Sequence, residues 1–197
     1  MTFLVGSCKV KIGFFFIAVI AAILTFDSSG AAAVGLLCAG IHEAAHIAAM
    51  KAVGESPKEM SFTVFGIDLV KTSSAERSYK KDALVSFAGP LANLSLGLLS
   101  NFFFGKRFFF FTVANLLLFG LNILPIAPLD GGQALNALLC LHISPEGAAR
   151  TVATVSFMAL VPLAIAGFLL LLRSHCNFTL LLAVCYLTAL LLLKKER

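Results

Sequence analysis

Long apolar runs separated by short polar stretches set the pattern of this chain. Runs rich in Ala, Ile, Leu, Val and Phe occupy about residues 12–26, 31–50, 83–104, 108–124, 152–172 and 178–193. The apolar residues are blocked together rather than spaced at amphipathic intervals, which predicts helices meeting lipid rather than helices laid on a soluble core. A helical span needs about 20 such residues. The first and last runs are short of that, so flanking residues extend them or the bilayer thins locally. The predicted architecture is an all-α polytopic membrane protein, a single domain of six transmembrane helices. One sizeable polar stretch, residues 51–82, interrupts the series between helices 2 and 3. Within it SFTVFGIDLV (61–70) has β-branched and aromatic residues on either side of Gly66. This pattern predicts a small β-hairpin or sheet insertion, two short strands bending at Gly66.

Composition supports the membrane reading. Of 197 residues, 59% are hydrophobic and 13% charged, where a soluble domain carries about 25% charged residues. The net charge of +5 does not indicate nucleic acid, because the 15 Lys and Arg lie in short loops between apolar runs and act as topology determinants. With the N-terminus inside, Lys9, Lys11, Lys51, Lys58, Lys71, Arg77, Lys80, Lys81, Arg150, Lys194, Lys195 and Arg197 all fall on the inner side. Only Lys106, Arg107 and Arg173 fall outside. This asymmetry predicts cytoplasmic N- and C-termini and six spans. Lys9 and Lys11, an apolar core and the alanines at 31–33 also resemble a signal peptide, but cleavage there leaves five spans, which the charge count disfavours. The five cysteines show no CxxC and read as small hydrophobes.

Against that background GIHEAAHIAAM (40–50) stands out. Ionisable groups inside a membrane segment are costly unless a specific partner compensates them. In a helix His42 and His46, four apart, share one face, with Glu43 beside it. This is the His-Glu-x-x-His arrangement of zinc hydrolases, two imidazoles on the metal and the glutamate as general base. The competing reading is a pair of helical histidines satisfied by neighbouring helices. A catalytic zinc takes three protein ligands, and the outstanding acid in apolar surroundings is Asp130, in LNILPIAPLDGGQAL (121–135). Pro125 and Pro128 disfavour continuous helix, and Gly131 and Gly132 permit backbone angles other residues resist, so helix 4 is expected to break there. Such a break is tolerated at membrane depth where it is buried in protein or lines a wet cavity. An ordinary helix end with Asp130 capping the next helix fits equally well. Depth is consistent with a shared site: His42 lies about 16 Å along helix 2 at 1.5 Å per residue, toward the cytoplasmic side that helix 4 also reaches at Asp130.

Three segments together resemble the site-2 proteases, the M50 family of intramembrane zinc metalloproteases: HEAAH at 42–46, AGPLANL at 88–94 and NILPIAPLDGG at 122–132. The resemblance covers a core of about residues 31–132. The small size, the six-helix layout and the lack of PDZ- or CBS-like sequence make the chain look like the compact bacterial branch that includes stage IV sporulation protein FB. The resemblance implies that His42, His46 and Asp130 bind one zinc ion and that Glu43 activates the attacking water. Asn122 matches a family asparagine that contacts substrate or assists the site. Gly89, Pro90 and Asn93 match a third-helix motif that packs and shapes the cavity. For Asn93 and Asn122, plain interhelical hydrogen bonding remains open beside a direct part. The strands around Gly66 match a region that offers an edge strand to substrate.

The implied activity is hydrolysis of a peptide bond in or near the transmembrane segment of a membrane-tethered protein. The partners it implies are the lipid bilayer and a membrane-anchored substrate: a regulator, a pro-sigma or anti-sigma factor, or a signal-peptide remnant. The expected location is the bacterial cytoplasmic membrane, with the site toward the cytoplasm and room left for an oligomer. A metal-ion transporter and a non-catalytic membrane scaffold of the same fold are the alternatives. Transporters spread their ligands along a path or across repeated halves, and no repeat of HEAAH or LDGG is present.

Overall fold

The structure, a computed structural model, describes residues 2–5, 8–55, 57–63, 66–71, 78–174 and 179–195. They form two compact units, Met1–Gly120 and Leu121–Arg197.

The first unit opens with strands β1 (Thr2–Val5) and β2 (Cys8–Ile12), followed by helices α1 (Phe14–Phe26) and α2 (Ala31–Ala52). Strands β3 (Pro57–Thr63) and β4 (Gly66–Lys71) come next, then helix α3 (Tyr79–Phe104), a 3-10 turn over Gly105–Phe108 and helix α4 (Phe109–Asn122). The strands make one sheet in the order β1-β2-β3-β4. β3 and β4 pair antiparallel, with Met60 opposite Leu69 and Thr63 opposite Gly66. β2 joins β3 in parallel, with Val10 opposite Met60. The two N-terminal strands are absent from the sequence expectation. Lys9 and Lys11 alternate with Val10 and Ile12 at the period of two that a strand requires, yet they read there as topology charges alone.

The ends of α2 are set locally. Between α1 and α2, Asp27 Oδ1 accepts from the Ser29 amide (2.9 Å) and hydroxyl (2.5 Å). Its Oδ2 accepts from the Ala32 amide in the first turn of α2 at 2.7 Å. These hydrogen bonds, the Ser29 hydroxyl foremost, hold the exposed carboxyl below the ordinary carboxylate range. At the other end Gly54 turns left-handed (φ 76°), and the Glu55 amide reaches back to the Met50 carbonyl at 2.9 Å, a Schellman stop.

The buried side chains of α2 are Cys38, His42, His46 and Met50, one stripe at intervals of four. The stripe packs on α3, whose buried positions are mostly small: Ala83, Val85, Gly89, Pro90, Asn93, Gly97 and Ser100. Small residues let helix backbones approach closely where lipid supplies no hydrophobic drive to associate.

The second unit contains helices α5 (Asp130–Leu139), α6 (Pro145–Ser174) and α7 (Thr179–Lys195). Its core gathers Ile126, Leu160 and Val184, with Leu124, Leu129, Leu163 and Leu187 around them. The expected break in helix 4 is present: α4 stops at Asn122, and helix resumes as α5 at Asp130. α6 starts at Pro145, not near 152. The Ser144 hydroxyl accepts from the Gly147 amide at 3.3 Å, and Pro145 sits at the first helical position, an N-terminal signature that a search for apolar runs passes over.

Among the described residues, three stretches are long and apolar enough to cross a membrane: Ala31–Ala52, Tyr79–Asn122 (α3 through α4) and Pro145–Arg173. Phe14–Phe26 and Leu180–Leu191 are shorter apolar helices. Large apolar side chains such as Phe15, Phe26, Phe102, Phe103 and Phe157 stand more than 60% exposed, a surface suited to lipid rather than water.

Candidate metal centre

The buried stripe of α2 turns the HEAAH histidines inward. His42 and His46 are 5% and 6% exposed, and their rings meet edge to face with centroids 4.8 Å apart. Each ring is anchored through Nδ1. That of His46 lies 2.8 Å from the Val85 carbonyl oxygen on α3; a carbonyl only accepts, so this nitrogen carries the proton. That of His42 lies 2.6 Å from Oδ1 of Asn93, likewise an acceptor. In the neutral rings both Nε2 atoms then present lone pairs, and they converge to 3.1 Å. Two neutral imidazoles in these tautomers have no proton to share across that gap, so the approach is repulsive unless a cation balances it. Two nitrogens each bonded at 2.0–2.1 Å to one tetrahedral zinc stand about 3.3 Å apart. The pair fits a metal ion.

Gly89 makes the convergence possible. A Cβ there meets Nε2 of His46 in hard overlap and would lie 2.7 Å from Cε1 and Nε2 of His42. The third-helix motif thus has a direct physical reason: α3 supplies the floor against which the imidazoles rest. Pro90 and Asn93 are fully buried beside it. Glu43, one residue beyond His42 on α2, is half-buried.

In the second unit Asp130 is the first residue of α5 and half-buried. The segment before it, residues 123–129, is folded on itself. The Ile126 amide bonds to the Leu124 carbonyl and the Leu129 amide to the Ile126 carbonyl, both at 2.8 Å. Ser156 on α6 fastens it from outside: its hydroxyl accepts from the Ala127 amide at 2.8 Å and donates to the Val152 carbonyl at 2.6 Å. Gly131 and Gly132 press on this segment. A Cβ on Gly131 overlaps the Ile123 carbonyl, and one on Gly132 overlaps the Ile126 carbonyl. Neither glycine has positive φ, which corrects the expectation that they serve unusual backbone angles; they are needed for close approach. Asn122, the last residue of α4, is half-buried.

The sequence reading missed Val85, whose role is played by its backbone, and Ser156. It also missed Asn115, fully buried on α4, although a lone amide within FFFTVANLLLF is itself a signal for an interhelical partner.

No family model and no curated protein matches this sequence. Among solved structures it is similar to a site-2 protease from Methanocaldococcus jannaschii, at 17% identity and a TM-score of 0.67. The match covers 95% of this chain and 91% of that one. Identity this low speaks to fold, and the coverage makes it the fold of nearly the whole chain. The chain is an integral membrane protein with the site-2 protease fold.

Proposed function

We propose that this protein is an intramembrane zinc metalloprotease that cuts a membrane-tethered protein in or near its transmembrane segment. The observation that carries the reading is the pair of buried imidazoles on α2, with fixed tautomers and Nε2 atoms 3.1 Å apart, in a chain with the site-2 protease fold. In this reading Asp130 is the third ligand, completing with His42 and His46 the three protein ligands a catalytic zinc takes. A zinc ion held by these residues would supply a water acidic enough to attack near neutral pH and a Lewis acid for the scissile carbonyl. Glu43 takes the proton from the attacking water and returns it to the leaving amine. Val85 and Asn93 hold the two rings in the tautomers that leave Nε2 available. Asn122 contacts the substrate near the break. β4, at an end of the sheet, pairs with an unwound substrate segment through main-chain hydrogen bonds.

The six apolar helices cross the bilayer with both termini in the cytoplasm, as the distribution of Lys and Arg supports, and the site lies toward that side. Its substrate is then a membrane-anchored regulator or a signal-peptide remnant whose released fragment acts in the cytoplasm.

The test is the purified protein with a membrane-anchored substrate pool, beside two variants. Glu43→Gln keeps one zinc per chain and loses cleavage, whereas His46→Ala loses both. Full cleavage by the Glu43→Gln protein removes the mechanism. Zinc flux into vesicles without cleavage favours a transporter.

A further inference from the structure

His42 is the end of a hydrogen-bonded chain that runs through the first unit. Its Nδ1 meets Oδ1 of Asn93 at 2.6 Å. Nδ2 of Asn93 donates to Oδ1 of Asn115 on α4 at 2.8 Å. Nδ2 of Asn115 donates to the Phe111 carbonyl at 2.9 Å and approaches Sγ of Cys38, on the buried stripe of α2, at 3.1 Å. Asn93 and Asn115 are fully buried, so water does not substitute for a lost partner and the amides are held to one orientation each.

The direction of the chain is decided at its far end. The Phe111 carbonyl only accepts, so the NH2 of Asn115 must face it. That leaves Oδ1 of Asn115 facing Asn93, which answers with its own NH2. Oδ1 of Asn93 is thereby turned to His42, whose Nδ1 must carry the proton. If Asn115 could flip, so could Asn93, and His42 would be offered an NH2. Its proton would then move to Nε2, the atom aimed at His46. We infer that Asn115, which does not touch the metal site, is a positioning residue: through Asn93 it sets the tautomer of His42 and keeps Nε2 available as a metal ligand.

This inference rests on the metal-binding reading of His42, and its test separates the two. 15N spectra of selectively labelled metal-free protein report the tautomer of His42 directly. The expected wild-type result is a protonated Nδ1 and a bare Nε2. Asn115→Leu should shift His42 toward the other tautomer and weaken zinc binding about tenfold, the low end for partners of metal-ligating histidines. Asn115→Asp should restore both. Its carboxyl still offers the Asn93 NH2 an acceptor in place of Oδ1. Ser100→Ala breaks the Ser100–Thr112 hydroxyl contact (2.9 Å) between the same two helices and should change neither readout.

A protonated Nε2 on His42 in the metal-free wild type overturns the inference without any variant. So does unchanged zinc affinity in a folded Asn115→Leu protein, or a loss in Asn115→Asp, which keeps an acceptor toward Asn93, as large as in Asn115→Leu. If the wild type binds no zinc, the metal reading fails while the tautomer measurement still decides the relay.

Discussion

Replacing Gly89 with alanine is the sharpest test of the site, because one methyl group is directed at both imidazoles. The new Cβ would lie 2.7 Å from Cε1 and Nε2 of His42, and nearer still to Nε2 of His46. Carbon reaches its optimal non-bonded separation at about 3.5–4.0 Å, so the rings must retreat by about 1 Å. Metal sites hold their ligand distances within about 0.2 Å. A retreat of that size also pulls Nδ1 of His46 from the Val85 carbonyl and Nδ1 of His42 from Asn93. Losing such a partner costs about 10–100-fold in metal affinity, and here two are lost together. Overpacking itself costs about 1–3 kcal/mol, so the protein should still fold. The expected result is zinc binding weakened about 100-fold or more in a competition titration with a chromophoric chelator, with cleavage lost in parallel. Gly97→Ala is the control on the same helix. Its Cβ would meet Cδ2 of Leu116 at 2.9 Å, the mobile end of a side chain, and zinc binding should stay as in the wild type. A Gly89→Ala protein that holds one zinc with wild-type affinity would show that the two rings do not converge on the ion as described.

Gly131→Ala and Gly132→Ala drive a methyl group into backbone carbonyls of the preceding segment, which cannot rotate away as a side chain does. Both should lose zinc or fail to accumulate, and a stable, zinc-loaded Gly132→Ala protein would refute that. Ser156→Ala removes the acceptor of the Ala127 amide and should lower stability by about 1–3 kcal/mol, read from unfolding in mixed detergent. An unchanged midpoint counts against the tie. Asp27 ties the linker to the first turn of α2, and its folded-state pKa is depressed. Its stabilising effect is therefore complete above the unfolded carboxylate value, about 3.9, and is lost as pH falls through the lower folded value. The thermal midpoints of wild type and Asp27→Ala should differ at neutral pH and converge below about pH 4. A gap that persists in acid would exclude the carboxylate as its source.

Much of the architecture was legible because it is written in neighbouring residues. Apolar runs mark α1 to α4 and most of α6 and α7, the prolines at 125 and 128 mark the break, and the four-residue interval puts His42 and His46 on one face of α2 whatever surrounds them. The β-branched and aromatic cluster around Gly66 coincides with strands β3 and β4, with Gly66 opening β4. What the chain's local pattern could not say is which distant groups meet. The pairing of β2 with β3 joins residues about fifty positions apart, and nothing near Lys9 announces it. The glycines at 131 and 132 were expected to serve backbone angles other residues resist, whereas tertiary packing makes them contact surfaces. The tautomers of both histidines depend on a carbonyl of Val85 and an amide of Asn93, on another helix. A helix's period is a property of one segment. A hydrogen bond between helices exists only when two segments are brought to a defined separation, and that separation is decided by small residues such as Gly89 through the packing they permit.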